Sequence, residues 1–185
     1  MENQIVKFKI TGMFPLLTHN PASMEGGGEV KTGKKKIPSS DEEAKAGLYV
    51  DEKGNYCIPS CAFRSALLNG LKHMKVGKSS AISVYQAAVF NVDDISVLID
   101  PKTESPLKKY TIDKRRAVIK NNGIIRSRPR FEKWGCFLYL QIDTDYISVE
   151  DVKNMLNNAG MKIGVGDFRI EKRGPFGRFS AAIVK

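Results

Sequence analysis

Near the carboxyl end of the chain, the segment IGVGDFRIEKRGPFGRF places glycines, cations and aromatic rings within 17 residues, from Ile163 to Phe179. Glycine lets a backbone approach a phosphate closely, and backbone amides can donate to phosphate oxygens. Arginine can fork onto two phosphate oxygens, and phenylalanine can stack on an unpaired base. The segment therefore predicts contact with a phosphate-bearing ligand. The residues assigned to this contact are Gly164, Gly166, Phe168, Arg169, Lys172, Arg173, Gly174, Phe176, Gly177 and Arg178.

The same segment also has a purely structural interpretation. It can be a turn before an edge strand, with Phe168, Phe176 and Phe179 packed in the core, and for any single phenylalanine this is the better interpretation. Asp167 can balance the arginines rather than act as a base. Neither glycine spacing makes a dinucleotide-binding fingerprint, because IGVGDF follows a predicted helix and no helix opens after it. There is no Walker lysine motif.

A second constellation is the segment IIRSRPRFEKW. Arg126, Arg128 and Arg130 alternate, so in an extended strand all three point the same way. Three guanidiniums on one face repel each other unless phosphates lie across them. Together with Arg115 and Arg116, they predict a groove for a single-stranded backbone. The alternative is a solvated edge strand kept soluble by its charge.

The net charge of +10 is concentrated in these two regions. The segment from Lys108 to Lys133 has a net charge of +8, the segment from Lys162 to Arg178 has +3, and the remaining residues sum to −1. Concentrated positive charge indicates a polyanionic partner, most often nucleic acid. A basic surface that serves only solubility would spread its excess charge more evenly.

Catalytic patterns are weak in this sequence. His19 and His73 are the only histidines, so a histidine acid–base pair requires the two to meet. The acidic run from Asp41 to Glu43 can bind a metal, but acids beside lysines are typical of a solvated loop. We therefore predict no catalytic residue, no metal and no cofactor.

The cysteines and the amino-terminal sequence indicate the cellular compartment of the protein. Cys57, Cys61 and Cys136 make an odd number without a CxxC pair, which predicts neither a disulfide scaffold nor a zinc site. The amino terminus lacks the features of a signal peptide, and no run of 18 apolar residues exists. We expect a cytoplasmic protein with no membrane partner.

The first half of the chain supplies a strand, an insertion and a helix. VKFKITGM alternates in hydrophobicity and predicts the first strand. Residues 19–47 are rich in Gly, Ser, Lys and Glu without periodicity, which predicts a flexible insertion, either a functional finger or simple disorder. YVDEKGNYCIPS predicts a short hairpin that turns at Lys53 and Gly54. A helix with Pro59 in its first turn follows, and Arg64 and Lys72 on its cationic side join the predicted nucleic-acid contacts.

The second half supplies the strands and helix that flank the basic segments. SAISVYQAAVF and DDISVLI are interpreted as extended or mixed segments. RRAVI and GIIRSRPRF predict a hairpin around Asn122 and Gly123. WGCFLYLQIDT, almost continuously apolar, predicts a central strand. SVEDVKNMLNNAG predicts a helix capped by Ser148 and ended by Gly160, and a final strand starts at Arg178.

This order of elements predicts an α+β fold. An antiparallel sheet with two helices on one face, ferredoxin-like or RNA-recognition-motif-like, accommodates it best. We expect one domain over residues 1–185, interrupted by the long mobile insertion.

Two segments resemble one known family. YCIPSCAFRSALLNGLK is similar to the "I-P-x-S-x-x-(K/R)-x-x-L-R" segment of the RAMP superfamily of CRISPR-associated proteins, through Ile58, Pro59, Arg64 and Leu67, although Ser60 falls one place early. The segment from Ile163 to Phe179 resembles the glycine-rich loop of the same superfamily. The resemblance covers about 45 of the 185 residues and is closest to the backbone subunits that polymerise along guide RNA.

This resemblance implies a non-catalytic protein that binds single-stranded RNA, or single-stranded DNA, and assembles with copies of itself or with other CRISPR effector subunits. The family's target-cleaving aspartate lies before the I-P segment, where this chain diverges, so that activity is not carried over. One alternative is a metal-independent RAMP-type endoribonuclease that uses His19 or His73 to process guide RNA. Another is a mimic that caps or inhibits a CRISPR complex. A stand-alone phage or mobile-element relative also fits the short chain.

Overall fold

A computed structural model describes residues 3–21, 38–72, 75–76, 79–119 and 122–184 of the chain. These residues form an α+β fold built on antiparallel sheets. The helices are α1 (Ser40–Ala46), α2 (Cys61–Gly70), α3 (Ala81–Ala88) and α4 (Val149–Lys162). The strands are β1 (Asn3–Gly12), β2 (Leu16–Leu17), β3 (Cys57–Pro59), β4 (Lys75–Val76), β5 (Ser79–Ser80), β6 (Val89–Asn91), β7 (Ile95–Val97), β8 (Thr111–Ile119), β9 (Asn122–Phe131), β10 (Gly135–Asp143) and β11 (Phe179–Ile183).

The main sheet has the spatial order β11-β1-β10-β6, with every neighbouring pair antiparallel. β10 is central, as its apolar sequence predicts, and it pairs along nine positions with β1. Alternation in β1 buries Val6, Phe8 and Ile10 on the face that carries the core. The chain therefore forms two strand–helix–strand units, β1-α2-β6 and β10-α4-β11, within one sheet.

Helices α2 and α4 cover that core face. Phe63 of α2 meets Phe179 of β11 edge-on, with ring centroids 5.3 Å apart, and Leu156 of α4 is fully buried. Ser148 caps α4 by accepting from the Asp151 amide at 3.1 Å, as predicted. The helix does not end at Gly160, however. It continues to Lys162, and Gly160 lies inside it. A glycine is needed at this position because the Phe179 backbone approaches the helix there.

A second sheet, of order β2-β9-β8, carries the long basic hairpin. The predicted hairpin is confirmed by the antiparallel pairing of β8 with β9, but its turn is not at Asn122 and Gly123, because both residues belong to β9 and pair with Ile119 and Val118. Asn-Gly commonly forms a turn, but here the antiparallel pairing of β8 with β9 includes both residues.

Helix α1 packs against this second sheet, although its residues lie in the predicted flexible insertion. A capping box joins Ser39 and Glu42, and Ala44 is buried. The interpretation of residues 19–47 as unstructured is thus wrong for the helix, which at seven residues is too short to show a clear periodicity. Residues 22–37 lie outside the described residues.

The segment SAISVYQAAVF is helical before it becomes a strand. Ala81, Tyr85 and Ala88 are buried at helical spacing. The β-branched Ile82 and Val84 between them favour strands, so the helical periodicity is not evident from the sequence. The predicted turn near Gly54 is confirmed by its left-handed φ of 79°. His73 and Met74 lie outside the described residues.

Candidate functional site

The three alternating arginines of β9 do share one face of the hairpin. The register pairs Thr111 with Arg130, Asp113 with Arg128 and Arg115 with Arg126, so the face carries four guanidiniums around one buried carboxylate. This arrangement confirms the predicted alternation. It brings together Arg115, Arg126, Arg128 and Arg130, while Arg116 lies on the opposite face of the hairpin beside Ile125.

Carboxylates, rather than empty space, lie across these arginines. Arg126 Nη1 lies 3.1 Å from Glu43 Oε1 of α1, and Arg128 forms an ion pair with Asp167 of the glycine-rich segment. The expectation that only phosphates could relieve their repulsion is therefore wrong. The prediction that Asp167 balances the arginines is confirmed. Glu43 was missed because its pairing spans 83 residues of sequence.

The remaining two arginines of the face are paired as well. Arg115 Nε donates to Asp113 Oδ1 at 2.7 Å, and Arg130 Nη2 donates to Glu132 Oε2 at 3.1 Å. Asp113 also lies 3.6 Å from Arg130 Nη1, so one buried carboxylate serves two cations. These pairs hold the arginine side chains in fixed positions.

The glycine-rich segment packs directly on the arginine face. The Arg115 guanidinium lies 4.6 Å from the ring centroid of Phe176, and that of Arg130 lies 5.7 Å away. Phe176 is only 4% exposed, so the prediction that it stacks on a base is wrong in this conformation. Phe179 is part of the core. Phe168 is half-buried with its centroid 6.1 Å from that of Phe176.

The glycines of this segment let the chain cross itself. A Cβ on Gly177 would overlap the carbonyl oxygen of Val165, and a Cβ on Gly174 would overlap that of Phe168. Gly177 also has a left-handed φ of 69°. Internal packing therefore accounts for these two glycines without a phosphate. Gly164 and Gly166 line a pocket, described below.

Other predicted cations have internal partners. Arg64 donates to the carbonyl oxygens of Val89 at 3.0 Å and Gln86 at 3.2 Å, which ties α2 to the start of β6. Arg169 donates to Glu171 and to the Gly166 carbonyl. The Arg178 guanidinium lies 4.9 Å from the ring centroid of Phe14.

A smaller set of cations is exposed and, among the described residues, has no ion-pair partner. It includes Lys72, Lys114, Arg116, Lys172 and Arg173, as well as cations elsewhere on the surface such as Lys53 and Lys102. Lys114 is not among the predicted contacts, which on this strand are Arg115 and Arg116. Together with Arg115, Ile124 and Ile125, Lys114 and Arg116 line a shallow depression on the hairpin, and Ile125 there is 73% exposed. This outer surface of the hairpin is called the hairpin patch.

A pocket of about 390 Å³ lies where α2, the loop after β2 and the glycine-rich segment meet. Both segments that carry the family resemblance line this pocket. The I-P segment contributes Pro59 and Ala62, and the glycine-rich segment contributes Gly164 and Gly166. Sequence positions about 100 residues apart are thus brought to one cavity. Its polar lining is Thr18, His19, Tyr49, Cys61, Ser65, Asn69, Asp167 and Arg169.

Two titratable rings, those of His19 and Tyr49, line this pocket. Burial lowers the pKa of His19, the charges of Arg126 and Arg128 lower it further, and Asp167 opposes the shift. The Tyr49 hydroxyl donates to the His19 carbonyl at 3.3 Å, and burial raises the pKa of Tyr49. At neutral pH the site therefore holds a neutral imidazole and a protonated phenol. Tyr49 was missed because it belongs to a predicted hairpin with no sign of function.

Comparison with known proteins adds no family, since neither a family model nor a curated protein matches the chain. Within the described ranges, no group of three His, Cys, Asp or Glu side chains is placed to hold a metal ion. No helix in the same part of the chain is long and apolar enough to cross a membrane. The three cysteines are free thiols.

Proposed function

We propose that the protein binds single-stranded nucleic acid, RNA in the first place, through the hairpin patch and the pocket. The observation that carries the proposal is the exposed pair Lys114 and Arg116, which lacks ion-pair partners among the described residues and flanks the exposed Ile125. Cations beside an apolar surface suit a strand whose phosphates and unpaired bases are both accessible.

The paired arginines have a different part in this proposal. Arg126 and Arg128 hold Glu43 and Asp167, and Asp167 also lines the pocket. The arginine face therefore connects the hairpin to the pocket wall and fixes their relative positions. Phosphates are contacted by the outer cations, whose side chains are free to move.

The pocket is large enough to take one nucleotide of the bound strand. Its volume of about 390 Å³ falls within the usual range for small-ligand sites. Ser65, Asn69 and Arg169 supply hydrogen-bonding groups, while Ile58 and Ala62 supply apolar surface. A base removed from its neighbours would meet both kinds of contact there.

The proposal includes the fold family. Two strand–helix–strand units with the sheet order β11-β1-β10-β6 support a ferredoxin-like, RNA-recognition-motif-like arrangement. The shared pocket supports the resemblance to RAMP backbone subunits, in which such a protein works in the cytoplasm beside further copies or other effector subunits. A mimic that caps such an assembly would use the same surfaces and would bind the subunits with little affinity for free RNA.

The direct test measures binding of a short fluorescein-labelled oligouridylate by anisotropy across a series of salt concentrations. We expect Lys114→Ala/Arg116→Ala to weaken binding and to reduce the salt slope by about 1.4, since each phosphate contact on a single strand contributes about 0.7. The matched control, Lys53→Ala/Lys102→Ala, removes the same charge from two exposed turns elsewhere. Equal affinities and slopes for all three proteins would contradict the hairpin patch.

A second function is favoured by one observation, the presence of His19 and Tyr49 in the same pocket. A neutral imidazole can accept the proton of a ribose 2′-hydroxyl while that oxygen bonds to the adjacent phosphorus. The bond from phosphorus to the 5′ oxygen then breaks, and the 5′ oxygen takes a proton from water, so the strand is cleaved to a 2′,3′-cyclic phosphate without a metal. Under this alternative, His19→Ala abolishes cleavage of a structured repeat RNA in the presence of EDTA and keeps the salt-dependent binding that the hairpin patch supplies. Absence of cleavage by the unaltered protein would eliminate it.

A further inference from the structure

The main sheet has a second face, opposite α2 and α4, that the proposed function does not use. Strand alternation places Ile5, Lys7 and Lys9 of β1 on this face, across from Phe137 and Tyr139 of β10. Phe90 of β6 lies beside Gln141 on the same face. This surface is called the open face.

Apolar groups on the open face are accessible. Ile5 is 63% exposed and Phe90 is 45% exposed, while Phe137 and Tyr139 are half-buried. Ile5 and Phe90 lie on either side of Gln141 of β10, and with the rings of Phe137 and Tyr139 on that strand they form an apolar surface across three neighbouring strands. The positions alternate strictly with core residues of β10, so these rings are not needed to fill the interior.

The spacing of the rings suits successive bases. Phe137 and Tyr139 are two residues apart on the central strand, which separates side chains on one face by about 6.6 Å. Aromatic rings at this separation can each stack on one base of an extended single strand. Every base has a π-face, so such a surface tolerates any sequence.

The charge of the open face suits a phosphate backbone. Lys7 Nζ lies 3.8 Å from the centroid of Phe137 and 5.8 Å from that of Tyr139, and it has no ion-pair partner among the described residues. Lys9 is paired with Glu104. The ammonium of Lys7 thus lies beside the two rings, where the phosphates of a strand stacked on them would run.

We infer that the open face is a second single-strand binding surface, on which Phe137 and Tyr139 stack two bases and Lys7 contacts the backbone. The inference rests on the proposed function for the class of ligand and adds a separate surface to it. The hairpin patch binds mainly phosphates, whereas the open face binds mainly bases. The two contributions therefore respond differently to salt and to removal of the bases.

The test compares an oligouridylate with an abasic chain of the same length. We expect Phe137→Leu/Tyr139→Leu to weaken oligouridylate binding about ten-fold or more, with an unchanged salt slope. The abasic chain should bind the variant and the unaltered protein equally. Phe137→Tyr/Tyr139→Phe keeps both rings and should retain full affinity, which separates loss of stacking from loss of folding.

Three outcomes would overturn the inference. If the leucine variant binds oligouridylate normally while Lys114→Ala/Arg116→Ala does not, the open face is not a binding surface and the proposed function stands. If the unaltered protein binds neither probe at low salt, the proposed function fails and the inference fails with it. If sedimentation shows that the leucine variant loses a dimer but no affinity for oligouridylate, the open face is a contact between copies of the chain.

Discussion

At the scale of single residues, the basic and glycine-rich segments fold onto each other. Arg128 pairs with Asp167, and Arg115 lies over Phe176, so cations and rings that indicated an external ligand are largely satisfied within the chain. Replacing Arg126, Arg128 and Arg130 together would leave Glu43 and Asp167 without their ion-pair partners. Such a variant tests folding as much as binding, because an unpaired, partly buried carboxylate is costly.

Gly177 is the residue whose replacement tests this packing most directly. Gly177→Ala places a methyl group on the Val165 carbonyl in addition to forcing alanine into a left-handed conformation. We expect a loss of about 3 kcal/mol or more in the free energy of unfolding, measured by urea denaturation. Gly54→Ala is the control, because Gly54 has a similar φ of 79° with nothing within 4 Å of its would-be Cβ.

The control should lose only about 1 kcal/mol, the cost of the left-handed conformation alone. If both variants lost the same stability, Gly177 would be required only for its left-handed backbone conformation. The close approach of the chain at Val165 would then be contradicted.

At the scale of elements, patterns confined to one strand or helix are readable from the sequence. The alternation of β1, the apolar run of β10 and the Ser148 cap of α4 each depend on neighbouring residues, and the structure confirms them. The prediction that Gly160 ends the helix is wrong because glycine is required there by the approach of Phe179, which belongs to another element. Helix α1 escaped notice because it is short and its stability comes from packing on β9.

The candidate site is less readable than the fold for the same physical reason. Arginine alternation on β9 follows from local sequence, and the structure confirms it. The carboxylates that pair with those arginines come from α1 and from the glycine-rich segment, which no local pattern connects to β9. Whether a cation is available for a ligand depends on whether a carboxylate from a distant segment pairs with it. Composition does not contain that information, so it overestimates the exposed positive surface.

The contact between α4 and β11 gives a prediction at the scale of elements. Gly160→Ala places its methyl group on the Phe179 carbonyl, so we expect α4 to shift and the free energy of unfolding to fall by about 3 kcal/mol. Gly70→Ala, at the end of α2, meets only Ala159 at 3.5 Å and should leave stability unchanged or raise it by up to about 1 kcal/mol. Thermal denaturation of the two variants side by side measures the difference, and the reverse order would contradict the helix packing.

At the scale of the whole molecule, the net charge of +10 remains largely uncompensated even though the arginine face is paired. The excess lies on surface cations such as Lys114, Arg116, Lys172 and Arg173. Like charges on one surface raise the free energy of the compact state, and a polyanion that binds only the folded protein relieves that repulsion. Stability and binding are therefore linked through the same residues.

This linkage gives a prediction for the melting temperature. At a concentration of oligouridylate about 100 times its Kd, binding should stabilise the folded state by about 2.7 kcal/mol, which raises Tm by about 5 to 10 °C in a chain of this size. High salt should abolish most of that shift, because phosphate contacts weaken as counterions compete. Dextran sulfate at a matched charge concentration is the informative comparison. A smaller shift with dextran sulfate means that base contacts add to charge, whereas an equal shift means that charge alone accounts for the stabilisation and that neither the pocket nor the open face recognises a base.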